Sequence, residues 1–256
     1  MSITGHQNEW RKLGKRRNNR GPSPFDELAL EYDAWFDGEG SLIFFNEVQA
    51  FRTLLPFLPK PWLEIGVGSG RFAQALGIET GIDPCGKLVE IAKSRGIHAF
   101  PGQGKEQIFD EESFGTVFLI VTLCFLDSPL DVLKEVKRIL MPGGKLVLGL
   151  VLKESPWGKL YQQKKNEGHR FYKYAKFYSC KDVVRLLFKT GFMGESMLST
   201  LMQKPGDVQH VEQPKDGYSS DAGFTIIVGV KRASRDSIKN GMGEACGSST
   251  DTSIPQ

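Results

Sequence analysis

The chain has 256 residues, 40% of them hydrophobic, and its 33 basic and 30 acidic side chains leave a formal net charge of +3. A chain of that length buries a sizeable core without disulfide staples, and so small a charge creates no global field that demands a polyanionic partner. No apolar run approaches the roughly 20 residues of a membrane-crossing helix, the N-terminus lacks the apolar segment of a secretion signal, and Cys85, Cys124, Cys180 and Cys246 form no C-x-x-C pair; these features point to a reduced, cytoplasmic chain with no membrane span.

Residues 1–24 are polar and basic, with Arg11, Lys12, Lys15, Arg16, Arg17 and Arg20 close together and Pro22 and Pro24 at the end. They read as a disordered, solvated arm or as a contact for an anionic surface. Phe25 to Phe36 carries apolar residues at helical spacing, and Asn46 to Leu55 continues as a second helix. Trp62 to Ile65 is a strand that runs into a glycine-rich turn. Helix Arg71 to Leu76, strand Ile78 to Ile82, helix Lys87 to Ser94 and strand Ile97 to Phe100 follow. Phe114 to Val121 is the most apolar strand and is expected at the sheet centre. Leu130 to Leu140 is a helix with Ser128 as its N-cap and Pro129 in its first turn; Pro142-Gly143-Gly144 stops it, and Leu146 to Leu152 is the next strand. Helix Asp182 to Lys189 ends at Gly191. Strands Phe192 to Leu201 and Phe224 to Val230 have no helix between them and are expected to pair antiparallel at one sheet edge. Residues 233–256 have a disordered tail's composition. Strands alternating with helices imply an α/β fold with a largely parallel sheet, in one domain spanning 25–232.

The stretch that carries chemistry is Glu64-Ile65-Gly66-Val67-Gly68-Ser69-Gly70-Arg71, which follows a strand and opens a helix. Gly66 and Gly68 let the backbone turn sharply and approach a ligand, and Gly70 lets the helix pack on the sheet. Amide groups at the helix start face the ligand's polar groups. A dinucleotide fingerprint places its last glycine three residues after the second; here that position is Arg71 and the glycine is Gly70. Glu64, two residues before the first glycine, repels a pyrophosphate but favours a sulfonium or an ammonium. The second strand ends at Gly81-Ile82-Asp83-Pro84, where Asp83 is placed to accept hydrogen bonds from ribose hydroxyls, or to cap the next helix.

With Gly102, Glu111-Glu112-Ser113-Phe114 and the ending Arg138-Ile139-Leu140-Met141-Pro142-Gly143-Gly144, these motifs resemble the class I S-adenosylmethionine-dependent methyltransferases. The small-molecule type related to quinone-biosynthesis methyltransferases is the most similar subgroup, and the resemblance covers Tyr32 to Lys231. It implies a Rossmann-like seven-stranded sheet of order 3-2-1-4-5-7-6 with strand 7 antiparallel, S-adenosylmethionine as cofactor, and cofactor contacts from Glu64, Gly66, Gly68, Gly70, Asp83, Pro84, Gln103, Gly104 and Thr122. Two positions depart from the family pattern. The loop after the third strand reads Gly102-Gln103-Gly104-Lys105-Glu106 and lacks the usual acid near the adenine amine, which leaves Gln103, backbone groups or Glu106 for that contact. The usual aspartate after Ser113-Phe114 is Gly115.

Methyl transfer from a sulfonium needs alignment more than a dedicated catalytic group, so no residue is assigned a catalytic role. Ligands sit at the carboxyl ends of such strands, which places Thr122-Leu123-Cys124-Phe125 near the methyl group. Cys124 reads as an apolar thiol. By resemblance, Tyr32, Trp35 and Phe36 form a lid, or they simply pack as a helix face. Phe171 to Tyr178, with Tyr172, is aromatic and basic; it stacks on an aromatic acceptor or on bases, or it packs in the core with solvated lysines. His6, His98, His169 and His210 lack metal-ligand spacing, and His169 is a candidate base. A small-molecule methyl acceptor is the expected partner. The alternatives are a nucleic-acid or protein methyltransferase using the basic arm, and a non-catalytic cofactor-binding regulator. The acceptor atom and the oligomeric state are not legible.

Overall fold

Seven helices and eight strands succeed one another in the computed structural model, which describes residues 24–232. The expected basic arm up to residue 23 and the expected tail from residue 233 lie outside the described residues. The elements are α1 (Pro24–Trp35), α2 (Ser41–Leu54), β1 (Trp62–Ile65), α3 (Arg71–Leu76), β2 (Thr80–Asp83), α4 (Gly86–Ser94) and β3 (His98–Pro101), then β4 (Phe114–Ile120), α5 (Pro129–Ile139), β5 (Leu140–Leu150), α6 (Pro156–Asn166), α7 (Cys180–Lys189), β6 (Phe192–Thr200), β7 (Lys215–Asp216) and β8 (Phe224–Lys231).

The sheet order is β3-β2-β1-β4-β5-β8-β6-β7. β1 to β5 pair in parallel, and β8 runs antiparallel to both β5 and β6. This is the expected order, with β8 in the place of the seventh strand and a two-residue β7 added outside β6. Alternation along the central strands divides the core. Val117 and Leu119 of β4 face α5 and α7 in one apolar layer, whereas Phe118 and Ile120 face Phe51 of α2 and Phe72 of α3 in the other. By the same parity Leu63 and Ile65 enter the first layer, so Glu64 between them points to the face that α2 and α3 cover.

Four local expectations are corrected. α2 starts at Ser41, five residues before the expected Asn46. Ser128 stands at the N-cap of α5, but its side chain makes no capping bond. Leu140 begins β5 instead of ending α5, because the chain passes directly into a bulge in which Leu140 pairs with Phe114 and Lys145 with Thr116; Met141 to Gly144 are the extra residues. α6 was not expected from the pattern at all.

Candidate active site

Hydrogen bonds stitch the carboxyl ends of β1 and β2 together. The amides of Gly66 and Val67 both donate to the Ile82 carbonyl, at 2.8 and 3.0 Å. The Asp83 carboxylate accepts from the Gly68 amide at 3.0 Å and from the Cys85 amide at 2.8 Å. Asp83 therefore braces the glycine turn and the entrance to α4 at once, although the N-cap of α4 is Cys85 and no side chain caps it. Gly66 has φ 77°, and a Cβ there would collide with the Thr122 side chain. Only glycine satisfies both conditions. Gly70 stands at the N-cap of α3 and packs on Ala92 of α4, where a Cβ would lie 3.1 Å away.

Glu64 is 1% exposed, and its Oε2 has no hydrogen-bond partner. Burial pushes its carboxyl well above the usual range, and the nearby Asp83 adds to that. An unpartnered buried carboxylate oxygen is costly. Beside a turn of backbone amides it fits a ligand that carries its own positive charge, as S-adenosylmethionine does at its sulfonium and ammonium groups.

The remaining predicted cofactor residues surround the same turn. Pro84 is exposed at the tip of β2. Gln103 and Gly104 follow β3, whose end is tied to Asp83 by the Gly102 amide at 3.1 Å. Glu106 bends back so that its Oε2 accepts from the Gln103 amide at 3.0 Å, which makes it a brace for this loop. The Thr122 hydroxyl donates to the Ile120 carbonyl at 3.0 Å. Val121 before it has φ 51°, a strained conformation for a β-branched residue, of the sort found at binding sites. Both departures from the family pattern lie in crowded places. A Cβ at Gly104 would lie 2.6 Å from Ile65, and one at Gly115 would lie 2.5 Å from the Pro59 carbonyl oxygen. At Gly115 the crowding is with backbone, so the family's aspartate would not fit there without a shift of the chain, whereas Gly104 packs on side chains and does not account for the missing acid.

Helix α1, kinked at Leu28, lies across the turn. The Tyr32 ring comes 3.8 Å from where a Cβ on Gly68 would sit. Asp33 pairs with Arg71 at 2.8 Å and with Arg95 at 2.7 Å, and Arg71 also meets Asp37. Partial burial opposes ionisation of Asp33, but the hydrogen bonds from Arg71 and Arg95 outweigh it and hold the carboxyl well below the usual range. At the other end, the Phe25 ring stacks on Phe171 at 5.6 Å and meets Phe125 edge-on at 5.2 Å, while Tyr32 and Phe171 are 5.9 Å apart.

Of the three aromatics in and just after α1 singled out as a lid, Tyr32 alone covers the turn. Phe36 is buried between Phe44 and Phe72, and Trp35 packs over Gly40; both belong to the core face of the helix. Tyr172 stacks on Tyr161 of α6 at 4.4 Å, with His169 4.7 Å from it. Burial, then Lys164 and Arg170, lower the His169 pKa and favour the neutral ring. Burial pushes the Cys124 thiol up to about 12, so it stays protonated and is no nucleophile.

One residue near the site was missed. Glu47 of α2 is 5% exposed, and burial pushes its carboxyl up to about 8. Its charge reaches the hydroxyls of Tyr32, Tyr161 and Tyr172. The signal was available: Glu47 lies three residues after Phe44 and four before Phe51, on the apolar stripe of its helix.

A model of the methyltransferase-domain family matches residues 63–148, the span from β1 to β5. A Thermotoga maritima structure described as a SAM-dependent methyltransferase, possible histamine N-methyltransferase, is 36% identical, with a TM-score of 0.76 over 82% of this chain and 98% of that one. An uncharacterized protein of Methanocaldococcus jannaschii is 36% identical over 79% of this chain and 96% of its own length. One of Mycobacterium tuberculosis is 36% identical over 88% and 80%. No described helix is long and apolar enough to cross a membrane. The glycine turn with its buried acid, the sheet order and these likenesses agree: the chain belongs to the class I S-adenosylmethionine-dependent methyltransferases, and it is an enzyme that uses S-adenosylmethionine.

Proposed function

We propose that the chain, through one domain spanning residues 25–232, methylates a small molecule held beneath α1 at the carboxyl end of β4. The observation that supports this most is the aromatic enclosure. Phe25, Tyr32, Phe125, Phe171, Tyr172 and Tyr161 come from four separate segments and meet around the approach to the glycine turn. Basic residues at its mouth are engaged internally: Arg170 pairs with Glu31 at 2.7 Å, and Lys165 donates to the Ala175 carbonyl at 2.6 Å. That arrangement suits a compact apolar-bodied ligand better than a phosphate backbone, which needs free cations along a groove. The histamine named for the Thermotoga relative is of the right size class.

In this reading Gly66, Gly68 and Gly70 shape the backbone cradle, and Glu64 faces the cationic part of the cofactor. Asp83 and Pro84 border its ribose, and Gln103 and Gly104 border its adenine. Thr122, whose side chain lies against Gly66, completes the cofactor cradle, and Phe125 is on the acceptor side. S-adenosylmethionine supplies an electrophilic methyl group on a sulfonium. The protein's share of the work is to align the acceptor and to exclude water, which the roof formed by α1 accomplishes. We also place the enzyme in the cytoplasm, in keeping with Cys85, Cys124 and Cys180, which form no disulfide among the described residues.

Calorimetric titration of the protein with S-adenosylmethionine and S-adenosylhomocysteine tests the reading. Micromolar binding, weakened about tenfold or more in Asp83→Ala, is the expected result. A screen of small acceptors with radiolabelled methyl groups then follows. Binding of neither ligand overturns the proposal; labelling of RNA or protein with no small-molecule product replaces the acceptor class.

A further inference from the structure

Glu47 is a buried acid with no partner, and its burial favours the protonated form. It is 5% exposed, and no hydrogen bond or ion pair reaches it from the described residues. Its neighbour Asn46 is fully committed: the amide donates to the carbonyls of Leu42 and His210, and its oxygen accepts from the Glu212 amide. The titratable groups that feel the charge of Glu47 come from three elements: Tyr32 of α1, Tyr161 of α6 and Tyr172 of the turn after α6. Burial raises all three phenols, so each remains neutral. Tyr32 also feels Glu64 and Asp83, and its ring lies over the glycine turn.

A buried, unpaired acid within electrostatic reach of stacked aromatic rings complements an organic cation. Two buried acids then flank Tyr32, and only Glu64 is accounted for by the cofactor. We propose that Glu47 recognises the methyl acceptor, and that the acceptor is a small primary or secondary amine whose nitrogen sits against Glu47 among Tyr32, Tyr161 and Tyr172. This rests on the methyl-transfer reading and adds the chemical class of the acceptor to it.

The class has a chemical consequence. An ammonium has no free electron pair, so the nitrogen must lose a proton before it can attack a methyl group. Glu47 gives up its own proton to solvent as the ammonium binds, and the resulting carboxylate is placed to take the proton from nitrogen: the N–H bond breaks, its electron pair stays on nitrogen, and the proton rests on a carboxylate oxygen. An acid whose ordinary range is shifted upward by burial holds a proton well enough for this. Glu47 is thus a positioning and proton-accepting group, while the cofactor cradle binds independently of it.

The test is binding, not turnover. Wild-type protein saturated with S-adenosylhomocysteine is titrated with paired probes: 2-phenylethylamine, 2-(imidazol-4-yl)ethylamine and benzylamine against the corresponding alcohols. Glu47→Gln, nearly isosteric with the protonated acid, is treated alike. Expected for the wild type is a preference of about tenfold or more for at least one amine over its alcohol, with about one proton released per amine bound near neutral pH, read from buffers of different ionisation enthalpy. Glu47→Gln keeps its S-adenosylhomocysteine affinity within about twofold but loses both the preference and the proton release. Equal binding of amines and alcohols, binding of alcohols alone, or a preference that persists in Glu47→Gln overturns the inference and leaves the methyl-transfer reading standing. Failure of the wild type to bind S-adenosylhomocysteine overturns that reading itself, and this inference with it.

Discussion

At the scale of single residues, a glycine and the buried acids around it shape the site. Replacing Gly66 with alanine forces a left-handed φ on a residue with a Cβ and drives that Cβ into Thr122. We expect a stability loss of about 1–3 kcal/mol by thermal denaturation and a larger loss of cofactor affinity by titration. Glu64→Gln removes a buried acid that is uncomfortable without its ligand. The unliganded protein is expected to keep or gain stability, while S-adenosylmethionine binding weakens more than tenfold, about 1.4 kcal/mol or more. Equal stability effects with and without cofactor would show that Glu64 does not face it. Glu64 and Asp83 were legible because they stand at fixed distances from the glycines along the chain. Glu47 was passed over although it stands on the apolar stripe of its helix, because an acid in a helix ordinarily reads as solvated and only tertiary packing buries this one.

Elements show the same division. β1 and α3 begin and end where periodicity and glycine placement put them, because each is bounded by residues whose backbone needs are unmistakable. Helix α6 was invisible: it buries only Trp157 and Gly158, and a Gln-Gln-Lys-Lys-Asn run gives no apolar stripe to detect. The cue was at its start, where the Ser155 hydroxyl accepts from the Gly158 amide at 2.9 Å and Pro156 occupies the first turn. The attachment of α1 makes a prediction of its own. Asp33→Ala removes the partner shared by Arg71 and Arg95. Hydrogen exchange across residues 25–36 is expected to quicken by about tenfold or more, while the sheet stays protected. Because the folded carboxyl is held below its ordinary value, this attachment is complete above the ordinary carboxylate range and is lost as pH falls through the depressed folded value. The mutant and the wild type should therefore converge in exchange rate at strongly acid pH; a constant difference at every pH would assign the effect to lost packing.

For the molecule as a whole, fold class and sheet order followed from the alternation of strands and helices, and the edge strand β7 did not, since two residues carry no pattern. The net charge of +3 and the engaged cations beside the aromatic enclosure predict that turnover on a small acceptor changes by less than about twofold between low and physiological salt; a steep decline would indicate phosphate contacts. Helix α1 covers two things at once: Tyr32 lies over the glycine turn, and Phe25 closes the aromatic wall. A single roof over two compartments imposes a sequence on traffic. The deeper occupant must enter first and leave last, so steady-state kinetics should be ordered, with the sulfonium donor leading and S-adenosylhomocysteine as the final product to depart. Inhibition by S-adenosylhomocysteine should then be competitive against the donor and mixed against the acceptor, and the residence time of that product should shorten when Asp33 no longer fastens the roof.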